Sequence, residues 1–191
     1  MSMTYKVRLE SRVVKTTVIN TVAQLDQSLR GLLVSISQNV RSNNLKCVVG
    51  LGVEKEFRPS STIDGGRAPC CLSIFLQLRG LSFVGVGVEH CLKALERDYG
   101  IKCRNAVDLG ELTATLKGKE MHRGYGLPDM AKELCFTDMK EHLVNNFTAA
   151  ALSNWGVATL SQKQVEAATS EAFICFYLGN DLYGGYLGSA F

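Results

Sequence analysis

The chain has little proline: three residues in 191, beside a single tryptophan. No apolar run reaches the roughly 18 residues of a membrane-spanning helix, so no such segment is expected. The first residues, Met1-Ser2-Met3-Thr4-Tyr5-Lys6, contain no apolar stretch of the secretory kind, which predicts an intracellular protein of the nucleus or cytoplasm. P-loop, G-x-S-x-G and H-E-x-x-H motifs are absent, which removes the commonest NTPase, α/β-hydrolase and zinc-protease signatures. The seven cysteines form no C-x-x-C pair and fit no zinc spacing. Seven is also odd, so complete pairing within the chain is excluded. Free thiols in a reducing compartment are the expected state, most of them serving as small buried hydrophobes.

What is present is ordinary for a folded domain. Hydrophobic residues make up 46% and charged residues 20%, enough to build a core and too apolar for a disordered chain. Charge is uneven. Residues 1–50 carry seven Lys/Arg against Glu10 and Asp26, a net +5, whereas residues 151–191 carry a net −2. A basic N-terminal third suits a phosphate backbone, and it equally suits a solvated sheet face.

The pattern along the chain alternates strands and helices, which predicts an α/β domain with a mixed sheet. Tyr5 to Thr21 is rich in Val and Thr and reads as a hairpin turning near Glu10-Ser11. Thr21 is placed to cap a helix in which Val22, Leu25, Leu29, Leu32 and Leu33 recur. Lys46 to Val53 reads as a strand buried on both faces, and Arg58 to Pro69 as a loop. Cys70 to Leu78 and Leu81 to Val88 read as two further strands. A helix follows through Cys91, Leu92, Leu95 and Tyr99, with Gly100 as its stop. Ala106 to Leu109 is a short strand, and Leu127 to Leu134 a helix that tolerates Pro128 in its first turn. Ser161 and Gln164 form a capping box for a last helix predicted to end near Leu178. The expected organisation is an N-terminal part (1–44) packed on a main domain (45–178), with a frayed glycine-containing tail (179–191).

Candidate chemistry is thin. Gly85-Val86-Gly87 lies between a strand and a helix, but His90 stands where a dinucleotide fingerprint needs its third glycine. His90, His122 and His142 are each isolated in sequence.

Three segments in fixed order carry more information. These are Val48-Val49-Gly50-Leu51-Gly52-Val53-Glu54, then Phe83 to Leu95 with Asp98-Tyr99-Gly100 after it. The third is Ser153-Asn154-Trp155 with Leu160-Ser161-x-x-Gln164 and Glu166 to Ala172. Over residues 45 to 178 the chain resembles the 3′–5′ exonuclease domain of the DEDD superfamily. It looks nearest to the Werner syndrome-like branch, common in plants and related to RNase D. The resemblance implies a ribonuclease H-like fold, two Mg²⁺ or Mn²⁺ ions held by four carboxylates, and single-stranded or 3′-ended DNA or RNA as partner.

Carried onto this chain, the resemblance matches the first motif's Asp-x-Glu to Gly52-Val53-Glu54, so only Glu54 is kept. The second motif's aspartate matches Cys91. The last helix's Tyr-x-x-x-Asp matches Glu166 and Ser170. Glu171 follows Ser170, and a rotation of about 100° per residue predicts that it points elsewhere. Glu56 lies two residues from Glu54 and shares its face if the strand continues. The family also places two strands and a helix between its first two motifs. The 37 positions from Glu54 to Cys91 leave no room for that helix in the strand reading above. The side shortened in this way is expected to be covered by the N-terminal hairpin, by a second subunit, or not at all.

Three functional expectations follow. One is an exonuclease-family, nucleic-acid-binding protein, catalytically impaired because three of four carboxylates are replaced. Another is an active metal-dependent 3′–5′ exonuclease using Glu54, Glu56, Cys91 and Glu171. The last is an oligomeric scaffold whose sheet edge or apolar patch is a subunit contact.

Overall fold

A computed structural model describes residues 2–9, 12–43, 47–54, 69–134 and 153–183. Strands β1 (Met3–Leu9) and β2 (Arg12–Val18) form the expected antiparallel hairpin. Helix α1 (Val22–Asn43) starts after Thr21, whose Oγ1 accepts from the Gln24 N–H at 3.3 Å. Strands β3 (Cys47–Gly50), β4 (Leu81–Gly85) and β5 (Ala106–Asp108) make a parallel sheet in the order β3-β4-β5. Between and after them lie α2 (Cys70–Leu76), α3 (Val88–Tyr99), α4 (Leu109–Lys117), a 3₁₀ turn (Glu120–Gly124), α5 (Leu127–Leu134) and α6 (Gln162–Leu182). The α/β class is as expected, with a parallel sheet lying between helices. Among the described residues the hairpin and the parallel strands are two separate sheets. No described helix is long and apolar enough to cross a membrane.

Strand alternation sorts the core into two layers. Val48, Val84 and Val107 face one side, against Leu109 of α4, Met130 of α5 and Ile174, Cys175 and Leu178 of α6. Cys47, Val49, Leu81 and Phe83 face the other, against Leu29, Leu33 and Ile36 of α1 and Phe75 and Leu76 of α2. Phe75 meets Phe83 edge-on at 5.4 Å. Both sheet faces are therefore covered, as short apolar strands require.

Three expectations are corrected. Residues 70–76 are helical. Leu72, Phe75 and Leu76 point inward at helical spacing while Ile74 lies 63% exposed, and the Pro69 carbonyl accepts from Leu72 and Ser73. Six apolar residues in a segment of seven satisfy either period, and packing on α1 selects the helix. That places a helix between the first two motifs, where the strand reading had left no room. The last helix passes Leu178 and ends at Leu182, with Gly179 buried against Val84 and Val48, so the tail does not begin at 179. The hairpin does not extend the parallel sheet: it packs on α6 through Val7, Leu9 and Val165, and Thr16 Oγ1 lies 2.8 Å from Thr169 Oγ1. Among the described residues β3 pairs only with β4.

The six described cysteines are free, and only Cys175 is buried; Cys70 is exposed and the other four are half-buried. That is less burial than expected of small hydrophobes. Cys135, Glu56, the hairpin tip at Glu10-Ser11 and the loop from Arg58 to Ala68 lie outside the described residues.

Candidate functional site

The site is built where β3 ends beneath α6. Gly50 fits because α6 crosses directly over it; a Cβ there would run into the Ala172 carbonyl. Past the strand, the Leu51 N–H donates to the Val84 carbonyl at 2.8 Å, holding residues 51–54 beside β4. Gly52 lies next on the face toward α6. A Cβ on Gly52 would lie 2.6 Å from both Cδ and Oε1 of Glu171 and 3.0 Å from its Oε2. The space an aspartate would need at position 52 is thus occupied by a carboxylate from the opposite element.

This corrects the expectation that Glu171 points away. Ala167, Ile174, Cys175 and Leu178 form the buried sheet-facing stripe of α6, and Glu171 falls within its i, i+3, i+4 spacing. A charged residue on an otherwise buried stripe was the available signal. The two positions matched to the family motif are elsewhere occupied. The Glu166 carboxylate accepts from Gln162 Nε2 at 2.9 Å, one turn back. Ser170 is fully buried and its hydroxyl donates to the Glu166 carbonyl at 2.7 Å.

Cys91 sits in the first turn of α3, half-buried, with its thiol 3.7 Å from the Val53 carbonyl. Burial pushes this thiol up, and the charges of Glu171 and Glu54 push it further. It therefore holds its proton at neutral pH, which leaves it a weak nucleophile. Glu171 is raised by burial and then by the charge of Glu54; Glu54, at the exposed rim, is raised by partial burial. One turn beyond Glu171, the Cys175 thiol is pushed up to about 12, first by burial and then by the Glu171 charge.

The arrangement brings Glu54, Glu171 and Cys91 together around Gly52 and leaves Glu166 and Ser170 out. Paired Mg²⁺ or Mn²⁺ ions need several hard oxygen ligands around both positions. Two like-charged carboxylates and a protonated thiol do not supply them. No group of three His, Cys, Asp or Glu among the described residues is arranged to hold a metal ion. The described residues do not fit a two-metal centre.

The second motif's strand and the third motif's tryptophan triplet hold scaffold positions. Gln164, buried, donates from Nε2 to the Asn154 carbonyl at 2.9 Å and lies 3.4 Å from Ser153 Oγ. Its Oε1 accepts from the Ser161 N–H at 2.9 Å, completing the capping box. One side chain thereby ties the Ser153-Asn154-Trp155 segment to the start of α6.

No protein-family model matches the chain. It is 26% identical over 108 residues to RISC-interacting clearing 3′–5′ exoribonuclease 1 of Arabidopsis thaliana, over 56% of this chain and 50% of that protein. The chain thus spans about half the length of that relative. Solved structures of the EXD2 exonuclease domain superpose loosely. One soaked in Mg matches at a TM-score of 0.40 with 23% identity, over 87% of this chain and 88% of that one. Another, soaked in Mn, matches at 0.38 with 23% identity, over 85% and 86%. The sequence similarity is thus to one 3′–5′ exoribonuclease, over 108 residues.

Proposed function

We propose that this chain is an exonuclease-family, nucleic-acid-binding protein in which two-metal phosphodiester hydrolysis is impaired. The observation that carries the reading is at position 52. A glycine stands where the resemblance calls for a metal-binding aspartate, and Glu171 fills the vacated space. With Cys91 protonated at the second motif, the site retains two carboxylates, and these repel each other. The helix box at Ser161/Gln164 and the glycine contact at Gly50 preserve the scaffold around them.

The test is stepwise shortening of a 5′-labelled single strand of RNA or DNA with Mg²⁺ or Mn²⁺. The parent is expected to leave it intact. A Gly52→Asp/Cys91→Asp/Glu171→Asp variant, which restores three short carboxylates beside Glu54, is expected to gain activity. Shortening by the parent that disappears in Glu54→Ala overturns the impaired reading in favour of an active nuclease with atypical ligands.

A further inference from the structure

Among the described residues, Lys6, Arg8 and Lys15 on the outer face of the hairpin have no acidic partner. On β1, Tyr5, Val7 and Leu9 turn inward, where Val7 and Leu9 are buried with Val165 of α6. The intervening Thr4, Lys6 and Arg8 are exposed, as are Val13, Lys15 and Thr17 on β2. The register sets Thr4 opposite Thr17, Lys6 opposite Lys15, and Arg8 opposite Val13. Neither strand contains an acidic residue. Two lysines directly opposite each other repel and weaken the hairpin. Lys6 and Arg8 are on the same face about 7 Å apart, two strand residues.

We infer that this face is a docking surface for the phosphate backbone of a single-stranded nucleic acid. It rests on the nucleic-acid-binding reading above and adds a location outside the carboxylate site. The chemistry is complementary. Three cations in a compact array meet a chain of anions, and the repulsion between Lys6 and Lys15 is relieved when phosphate lies between them. The exposed hydroxyls of Thr4 and Thr17 extend the array with neutral donors, of the kind that contact phosphate oxygens. No aromatic side chain is exposed on this face, so it grips backbone and does not read bases. The hairpin is held rigidly for the purpose. The Thr16–Thr169 contact and the Arg12 guanidinium 5.8 Å above the Tyr177 ring fix it to α6, the helix that also carries Glu171.

The experiment is fluorescence anisotropy with labelled oligouridylate and oligothymidylate at about 50 mM and about 200 mM salt, spanning the range where phosphate contacts are salt-sensitive. Three proteins are compared: the parent, Lys6→Gln/Arg8→Gln/Lys15→Gln, and a charge-matched control, Arg79→Gln/Lys117→Gln/Lys132→Gln, at exposed sites elsewhere. Circular dichroism confirms that each is folded. The hairpin variant is expected to bind about tenfold more weakly at low salt. Its log–log salt slope should be shallower by about 2, three contacts at roughly 0.7 each on a single strand. Equal binding by the parent and the hairpin variant overturns this inference and leaves the nucleic-acid reading standing. An equal loss in the control also overturns it, since net charge alone then explains binding. Absence of any binding by the parent overturns both. Capture of the parent by phosphatidylserine vesicles in preference to either oligonucleotide overturns it in favour of a membrane surface.

Discussion

Glycine at position 52 and glutamate at position 171 behave as one unit, because each has the shape the other requires. A methyl-sized addition at 52 meets the Glu171 carboxylate at 2.6 Å. Gly52→Asp alone is therefore expected to lose about 1–3 kcal/mol, the range for overpacking, with like-charge repulsion added and no activity gained. Shortening the opposing side chain in Gly52→Asp/Glu171→Asp should recover much of that loss, read from urea unfolding midpoints. The charge itself is also costly in this place. Glu171 has a raised folded-state pKa, so its favourable contribution is complete below the unfolded carboxyl value and disappears as pH rises through the folded one. Glu171→Gln should consequently melt higher than the parent at pH 7, and the difference should vanish at acid pH where both side chains are neutral. A parent that melts higher than this variant at pH 7 would show that Glu171 has a compensating partner.

At the scale of elements, α6 organises the molecule. Its start is fixed by the reciprocal Ser161–Gln164 box, and Gln164 simultaneously holds the Asn154 carbonyl. Loss of an N-cap hydroxyl costs about 1 kcal/mol, so Ser161→Ala should lower stability by that amount. Gln164→Ala should cost more, since it also leaves the Asn154 carbonyl unpaired. Chemical denaturation of the two variants side by side checks the order. The contact of α6 with β3 is closer still. Gly50→Ala sets a methyl group against the Ala172 backbone, which cannot rotate aside. The expected loss is about 2–3 kcal/mol, the upper part of the overpacking range. Helix α3, by contrast, is stopped locally: Gly100 adopts φ +67°, a conformation open to glycine, and its N–H donates to the Glu96 carbonyl at 2.9 Å.

At the scale of the whole molecule, the Cys175 thiol is fully buried in the layer formed by α4, α5 and α6. Its pKa rises from an ordinary 9.0 to about 12. The sign follows from linkage. The fold prefers the neutral thiol, so this contribution is intact below pH 9 and is lost as pH rises toward about 12. The parent should therefore unfold progressively across that alkaline window. Cys175→Ala should be less stable at neutral pH, because a buried sulfur is removed, yet should lose less stability between pH 9 and 12. Thermal unfolding of both proteins over that range measures it, and parallel pH profiles would rule the thiol out as the cause.

The chain's own pattern was sufficient for the hairpin, the parallel strands β3, β4 and β5, the stop at Gly100 and the box at Ser161/Gln164. Each of these is a local signal: alternation, a short apolar run, a glycine with positive φ, or a side chain three residues from its partner. Glu54 and Cys91 were singled out by the resemblance to the exonuclease motifs, and the structure sets both within electrostatic reach of Glu171. The helix at Cys70–Leu76 was not legible, because six apolar residues in a segment of seven satisfy both periods until α1 packs against them. Glu171 escaped the reading through the rotation of α6 about its axis. Sequence spacing alone fixes the angle between Ser170 and Glu171 but not which of them faces the sheet. The sequence by itself therefore determined the α/β class and which residues stand at positions 52 and 91. Only the tertiary structure decided that a carboxylate returns to position 52 from the opposite element, because that depends on how closely a helix lies over a glycine.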